Sequence, residues 1–132
     1  MARLNLVVLR ARNAPRLASF YSSLGLTFVR HRHGAGPEHF ACEDGGNVFE
    51  IYPVRADAEP TRELRLGFEV ADVRLALSRL VETGGEIVSE PAVSPWGLRA
   101  VVKDLEGHKV ELTEAQPLGS SAQRQPQENV RL

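Results

Sequence analysis

The chain repeats itself, and a repeat of this length leaves few architectures open. Residues 4–54 read as strand, helix, glycine, then three strands separated by turns, and residues 64–114 read the same way. With an offset of 59, Asn13 falls on Asp72, Gly25 on Gly84 and Val29 on Val88. With an offset of 61, Gly46 falls on Gly107, Glu50 on Glu111 and Ile51 on Leu112. One longer hairpin loop in the second copy accounts for the slip. Self-similarity at a fixed period marks a supersecondary unit that packs against its own copy. Such a pair builds a pseudo-symmetric site where its halves meet.

Within each copy, hydrophobic period and punctuation set the elements. Residues 4–11 are a nearly unbroken apolar run, which predicts a strand covered on both faces. Asn13 offers an N-cap, Pro15 sits in the first helical turn, and Leu17, Phe20, Tyr21 and Leu24 share one helical face that Gly25 ends. Residues 27–33, 39–43 and 48–54 read as strands, with turns at 34–37 and 44–47. In the second copy, residues 64–70 form a strand. Asp72 then caps a helix with a Val73, Ala76, Leu77, Leu80, Val81 stripe, stopped by Gly84 and Gly85. Residues 86–89, 98–103 and 109–113 follow as strands, with a Pro-containing loop at 90–97 and a tight turn at 104–108. The fold class is therefore α+β, with two βαβββ units at 3–55 and 64–115 and a polar linker at 56–63. Residues 116–132, rich in Gln, Ser and Pro, read as a disordered tail.

Composition narrows the partners. With 132 residues the chain can build one domain with a real core. A net charge of −1, with Lys and Arg scattered through both halves, argues against nucleic acid or an anionic membrane as the main partner. No apolar run is long enough to span a membrane. A strand-forming N-terminus without a signal-peptide pattern, and a lone Cys42 with no disulfide partner, fit a cytoplasmic protein. Cys42 itself reads as a thiol packed in a strand rather than a nucleophile.

Five segments carry a family resemblance: FYSSLGLTF at 20–28, VFEIY at 48–52, LGFEVADV at 66–73, SPWG at 94–97 and DLEGHKVEL at 104–112. In this order, and covering about 115 residues of the chain, they make it similar to the vicinal oxygen chelate superfamily. Its members include glyoxalase I, bleomycin and fosfomycin resistance proteins and extradiol dioxygenases. The resemblance implies that each unit is a curled mixed sheet with one helix, and that the two together enclose a ligand cup. It also implies a homodimer, as in many members.

In metal-dependent members each unit gives a His or Gln from its first strand, and often a Glu from its last. By that resemblance the last-strand positions are Glu50 and Glu111, while the first-strand positions fall on Leu6 and Arg65. Arg has no lone pair to give and would repel a cation, and Leu offers nothing. No metal and no other cofactor is therefore expected, with a divalent metal as the fallback. Two inward carboxylates would repel one another, and a guanidinium between them would relieve this through charge-assisted hydrogen bonds. Arg65 is thus expected where the metal would be, bridging Glu111 and Glu50.

Other residues fill out the expected site. Tyr52 shares Glu50's face by strand alternation, and Trp96, the one Trp, could stack on a ligand from a loop at the cup's mouth. His31, His33 and His39 read as a solvated cluster, with metal binding as the sharper alternative. His108, in a tight turn, reads as structural or exposed. The leading expectation is a metal-free cup binding a small organic molecule through Glu50, Tyr52, Arg65, Trp96 and Glu111. The alternative is a glyoxalase-type lyase or isomerase. There Glu50 or Glu111 would move a proton, with Arg65 or a divalent metal stabilising the enolate. Extradiol dioxygenase chemistry lacks its imidazoles here.

Overall fold

The duplication is visible in how the strands pair. The computed structural model describes residues 1–114; the tail read at 116–132 lies outside the described residues. The first unit runs β1 (Leu6–Ala11), α1 (Ala14–Ser22), β2 (Val29–His31), β3 (His39–Asp44) and β4 (Asn47–Pro53). The second runs β5 (Arg65–Val70), α2 (Val73–Glu82), β6 (Glu86–Ser94), β7 (Gly97–Lys103) and β8 (Lys109–Glu114). Each forms its own four-stranded sheet, ordered β1-β4-β3-β2 and β5-β8-β7-β6. In each, the first and last strands run parallel and the other pairs antiparallel. The sheets are not closed into a barrel.

The helices begin where their caps place them. The Asn13 side chain accepts the Arg16 N–H, and Asp72 accepts the Leu75 N–H. Leu17, Phe20 and Tyr21 of α1 are buried, as are Val73, Ala76, Leu77 and Leu80 of α2. Leu24 lies past the end of α1 and is only half-buried, and Val81 is exposed.

Three expectations need correction. The run at 4–11 is not covered on both faces: Leu4 is 76% and Leu6 49% exposed. Only Leu9 and Ala11, with half-buried Val7, belong to the core, because β1 is a sheet edge with one covered face. The strand read at 27–33 shrinks to Val29–His31. The loop read at 90–97 is mostly strand, since β6 continues to Ser94 through two register shifts. Pro91 fits there because β6 is an edge, where a missing N–H leaves no ladder bond broken.

The units are joined through α1. Tyr21 packs edge-on against Phe49 of its own unit at 5.1 Å and at a tilt against Phe68 of the second at 5.9 Å. Gly85, just after α2, has no Cβ, and one there would lie 3.1 Å from the Phe20 ring and 2.9 Å from both Leu80 O and Val102 Cγ2. The glycine is what lets α1 come this close. The β7–β8 turn completes the joint, with Glu106 accepting the Arg12 and Asn13 N–H groups at the start of α1.

Beneath that turn lies a buried polar network. The Tyr21 hydroxyl donates to Asp104 Oδ2 at 2.6 Å, and His108 Nδ1 meets the same oxygen at 2.8 Å. Asp104 Oδ1 accepts the Glu106 and His108 N–H groups. Burial disfavours charge on both Asp104 and His108, yet their mutual contact outweighs it. Asp104 is held below the usual carboxylate range with help from Tyr21, and His108 is raised above the usual imidazole range. Burial and the Asp104 charge push the Tyr21 phenol up. His108 is therefore structural and buried, at the seam between the units.

Candidate functional site

Register places the two glutamates at equivalent points. Leu6 pairs with Val48 and Val8 with Glu50, while Arg65 pairs with Lys109 and Gly67 with Glu111. The offsets of 59 and 61 read from the sequence are thus the offsets of the strand ladders. Side chains alternate across a sheet, so one face of the first unit carries Leu6, Val8, Arg10, Val48, Glu50 and Tyr52. The opposite face, with Leu9 and Ile51, packs into the core. In the second unit the corresponding face carries Arg65, Gly67, Lys109, Glu111, Arg99 and Lys103.

Glu111 is 1% exposed, so its carboxylate faces inward and not into solvent. Arg99 Nε donates to its Oε1 at 2.6 Å. That short charge-assisted bond helps to offset the cost of burying the carboxylate. Arg99 was not anticipated from the sequence. It stands opposite Thr113, one step along the face from Glu111, and only the span of the 104–108 turn fixes that register. A Cβ at Gly67 would lie at an ordinary contact distance of 3.6 Å from Glu111 Oε2, which shows that the carboxylate reaches over β5. Arg65 stands diagonally on the same face, opposite Lys109.

Glu50 has a different companion. His39 Nε2 lies 3.6 Å from its Oε2, an ion-pair distance when the imidazole is protonated. His39 is 2% exposed, and its Nδ1 has no hydrogen-bond partner. The ring is sandwiched in a stack. Tyr52 lies parallel at 4.2 Å with the Arg10 guanidinium 4.6 Å from its centre, and His31 and His33 flank His39 at 5.7 and 5.2 Å. Tyr52 and Glu50 do share a face, as expected.

Trp96 sits in the two-residue turn between β6 and β7 rather than in a long loop. The Ser94 hydroxyl donates to Gly97 O and accepts the Trp96 N–H, which fixes this turn. The structure therefore brings Glu50 and Tyr52 together on one sheet, and Arg65 and Glu111 on the other. Trp96 lies at the hairpin tip, at the opposite end of β7 from Lys103. An apolar recess of about 230 Å³ lies between the units, lined by residues including Leu6, Val48, Phe49, Leu66 and Phe68.

The donors at the family's metal positions do not fit a transition metal. Leu6 gives no ligand, Arg65 brings a positive charge, and Glu111 is already engaged by Arg99. Of the histidine rings, His31 is stacked with His33 and with His39, and His33 is tilted against His39. Among the described residues, no group of three or more His, Cys, Asp and Glu is placed to hold a metal ion. Nor is any helix among them long and apolar enough to cross a membrane. Cys42 is buried on the core side of β3, where burial pushes its thiol up, as a packed residue rather than a nucleophile.

Comparison with known proteins agrees with this architecture. An uncharacterized protein of Mycolicibacterium smegmatis (strain ATCC 700084 / mc(2)155) is 34% identical over 103 residues, covering 78% of this chain and 85% of its own. Among solved structures, a glyoxalase-related enzyme from Fulvimarina pelagi superposes with a TM-score of 0.72 at 22% identity, over 93% of this chain and 96% of that one. A glyoxalase/bleomycin resistance protein from Albidiferax ferrireducens T118 gives 0.71 at 15% identity, over 87% and 100%. These low identities speak to the fold. The model of the Glyoxalase/Bleomycin resistance protein/Dioxygenase superfamily matches residues 3–112, and the chain belongs to that superfamily.

Proposed function

We propose that this protein binds a small organic molecule, without a metal, on the faces of its two sheets that carry Glu50 and Glu111. The observation that supports it is the Arg99–Glu111 bond in a buried position, with Arg65 at the family's first-strand position. Arg65 at that position, and Arg99 bound to Glu111, disfavour gathering ligands around a metal ion. Tyr52 and Trp96 supply aromatic surface and polar hydrogen atoms, which suits a ligand with a planar portion. A homodimer would set the open face of one sheet against another copy, and a cytoplasmic location agrees with the lone buried thiol.

Thermal shift with a panel of divalent metals and small metabolites tests this on wild type, Arg65→Ala and Glu111→Ala. Stabilisation by an organic compound, lost in both variants, is the expected result. Stabilisation by a divalent ion, lost in Glu111→Ala and kept in Arg65→Ala, would overturn it.

A second reading draws on the Glu50–His39 pair. A carboxylate beside a buried imidazole with one nitrogen unpartnered can move a proton, so glyoxalase-type lyase or isomerase chemistry has a candidate base in Glu50. Arg65 would then stabilise the enolate. Exchange of the α-proton of an α-hydroxy ketone or α-hydroxy thioester with solvent deuterium, abolished in Glu50→Gln with binding retained, would separate catalysis from sequestration.

A further inference from the structure

A row of three cations crosses the second sheet. Arg65 stands in register with Lys109, and Lys109 with Lys103, so one line across β5, β8 and β7 carries a guanidinium and two ammoniums on the face of Glu111. Like charges directly opposite one another weaken a sheet. The fold does not require this row. Its counterpart in the first unit is Leu6, Val48 and Glu43, which builds the same ladder without a cation.

Two further observations fall on the same spot. The three cations line a recess of about 380 Å³, together with Glu63 and Gly107. Glu63 is the one non-glycine residue with positive φ among the described residues, at 56°. That backbone conformation is unfavourable for a side chain with a Cβ, and such outliers gather at binding sites. Among the described residues, neither Lys103 nor Lys109 takes part in an ion pair, whereas Arg99 on the same face is committed to Glu111. Three positive groups against one carboxylate leave the recess net positive.

We propose that this recess is an oxyanion site: Arg65, Lys103 and Lys109 receive a carboxylate or phosphate group of the ligand. This rests on the reading that the Glu111 face is the ligand face, and it adds the ligand's chemical class. Adjacent strands lie about 4.8 Å apart, so the row spans roughly 10 Å. A phosphate, or one end of a dicarboxylate, can contact two or three of its members at once. The guanidinium offers a bidentate fork and the ammoniums act as point charges. Glu63, on the rim of the same recess, works against the anion and moderates its affinity.

Backbone amide NMR of the full chain, titrated separately with inorganic phosphate and with succinate at matched ionic strength, tests the site. The expected result is saturable shifts at Arg65, Lys103, Gly107 and Lys109 that sodium chloride does not reproduce. The tighter arm tells phosphate from carboxylate. Lys103→Gln and Lys109→Gln should each weaken binding by about tenfold, the loss of one charge-assisted contact. Glu63→Gln should strengthen it, and Arg79→Gln on the exposed side of α2 should leave it unchanged. No saturable shift with either anion, or shifts that persist in the Lys103→Gln, Lys109→Gln double variant, would overturn the proposal. If the metabolite panel still finds a neutral ligand sensitive to Glu111→Ala, the broader reading stands and only the anion site falls.

Discussion

The Tyr21–Asp104–His108 network makes the joint between the units sensitive to pH, and Asp104→Asn exposes that dependence. The substitution removes the charge that raises His108 above the usual imidazole range, in a place where both side chains are fully buried. Breaking a buried ion pair by removing one partner costs about 3–5 kcal/mol. For a chain of this size each kcal/mol lowers Tm by about 4 °C, so the loss should be about 12–20 °C. The direction with pH follows from the two shifts. His108 is raised above its ordinary 6.5, so its contribution is complete below that value and fades as pH rises through the folded value. Asp104 is lowered below its ordinary 3.8, so its contribution is complete above that value and fades as pH falls through the folded one. The gap between wild type and Asp104→Asn is therefore widest between 3.8 and 6.5 and narrows on the alkaline side. Thermal unfolding followed by circular dichroism at about pH 5 and about pH 9 measures it, on either side of the imidazole range. An equal gap at both would refute the charged pair. A variant melting within about 1 °C of wild type would refute the network as a joint.

Other consequences follow from single contacts. Gly85→Ala should cost about 1–3 kcal/mol in chemical denaturation, because its methyl group meets Leu80 O, Val102 and Phe20 at 2.9–3.1 Å. Gly67→Ala, whose nearest contact is 3.6 Å, should fold normally, so a melting difference between the two checks the packing account. Arg99→Ala removes the 2.6 Å bond to Glu111 and should cost about 1.5–3 kcal/mol, read from urea midpoints. Asn13→Ala loses the bond to the Arg16 N–H and should cost about 1 kcal/mol by the same measure.

What could be read from the chain was set by local chemistry. Asn13 and Asp72 accept first-turn N–H groups, and Gly25 and Gly84 follow the helices with φ of 92° and 106°, so the two helices and where they start and stop were legible. The equivalence of Glu50 and Glu111 was legible too, since both strands keep period-two alternation. What remained hidden depends on distant partners. Whether the second face of β1 is covered is a property of the sheet's surroundings, not of residues 4–11. The length of β6 depends on its being an edge, where Pro91 and bulges are tolerated. Arg99 as the partner of Glu111 depends on hairpin register, and the burial of His108 depends on α1 arriving from the other unit.

The divergence of the two copies would give the proposed ligand face a direction. At matching ladder positions the first unit has Leu6, Val8 and Val48, and the second has Arg65, Gly67 and Lys109. Glu50 lies beside an imidazole, which can give or take a proton, while Glu111 is bound by a guanidinium, which stays charged. The first face also stacks Arg10, Tyr52 and His39 into a flat aromatic surface. A ligand touching both faces would therefore meet apolar and aromatic groups at one end and a cationic row at the other. Two identical halves would have favoured a symmetric ligand or a single central ion. Leu6 and Arg65 break that symmetry at matching positions, while Glu50 and Glu111 stand in register on the shared scaffold.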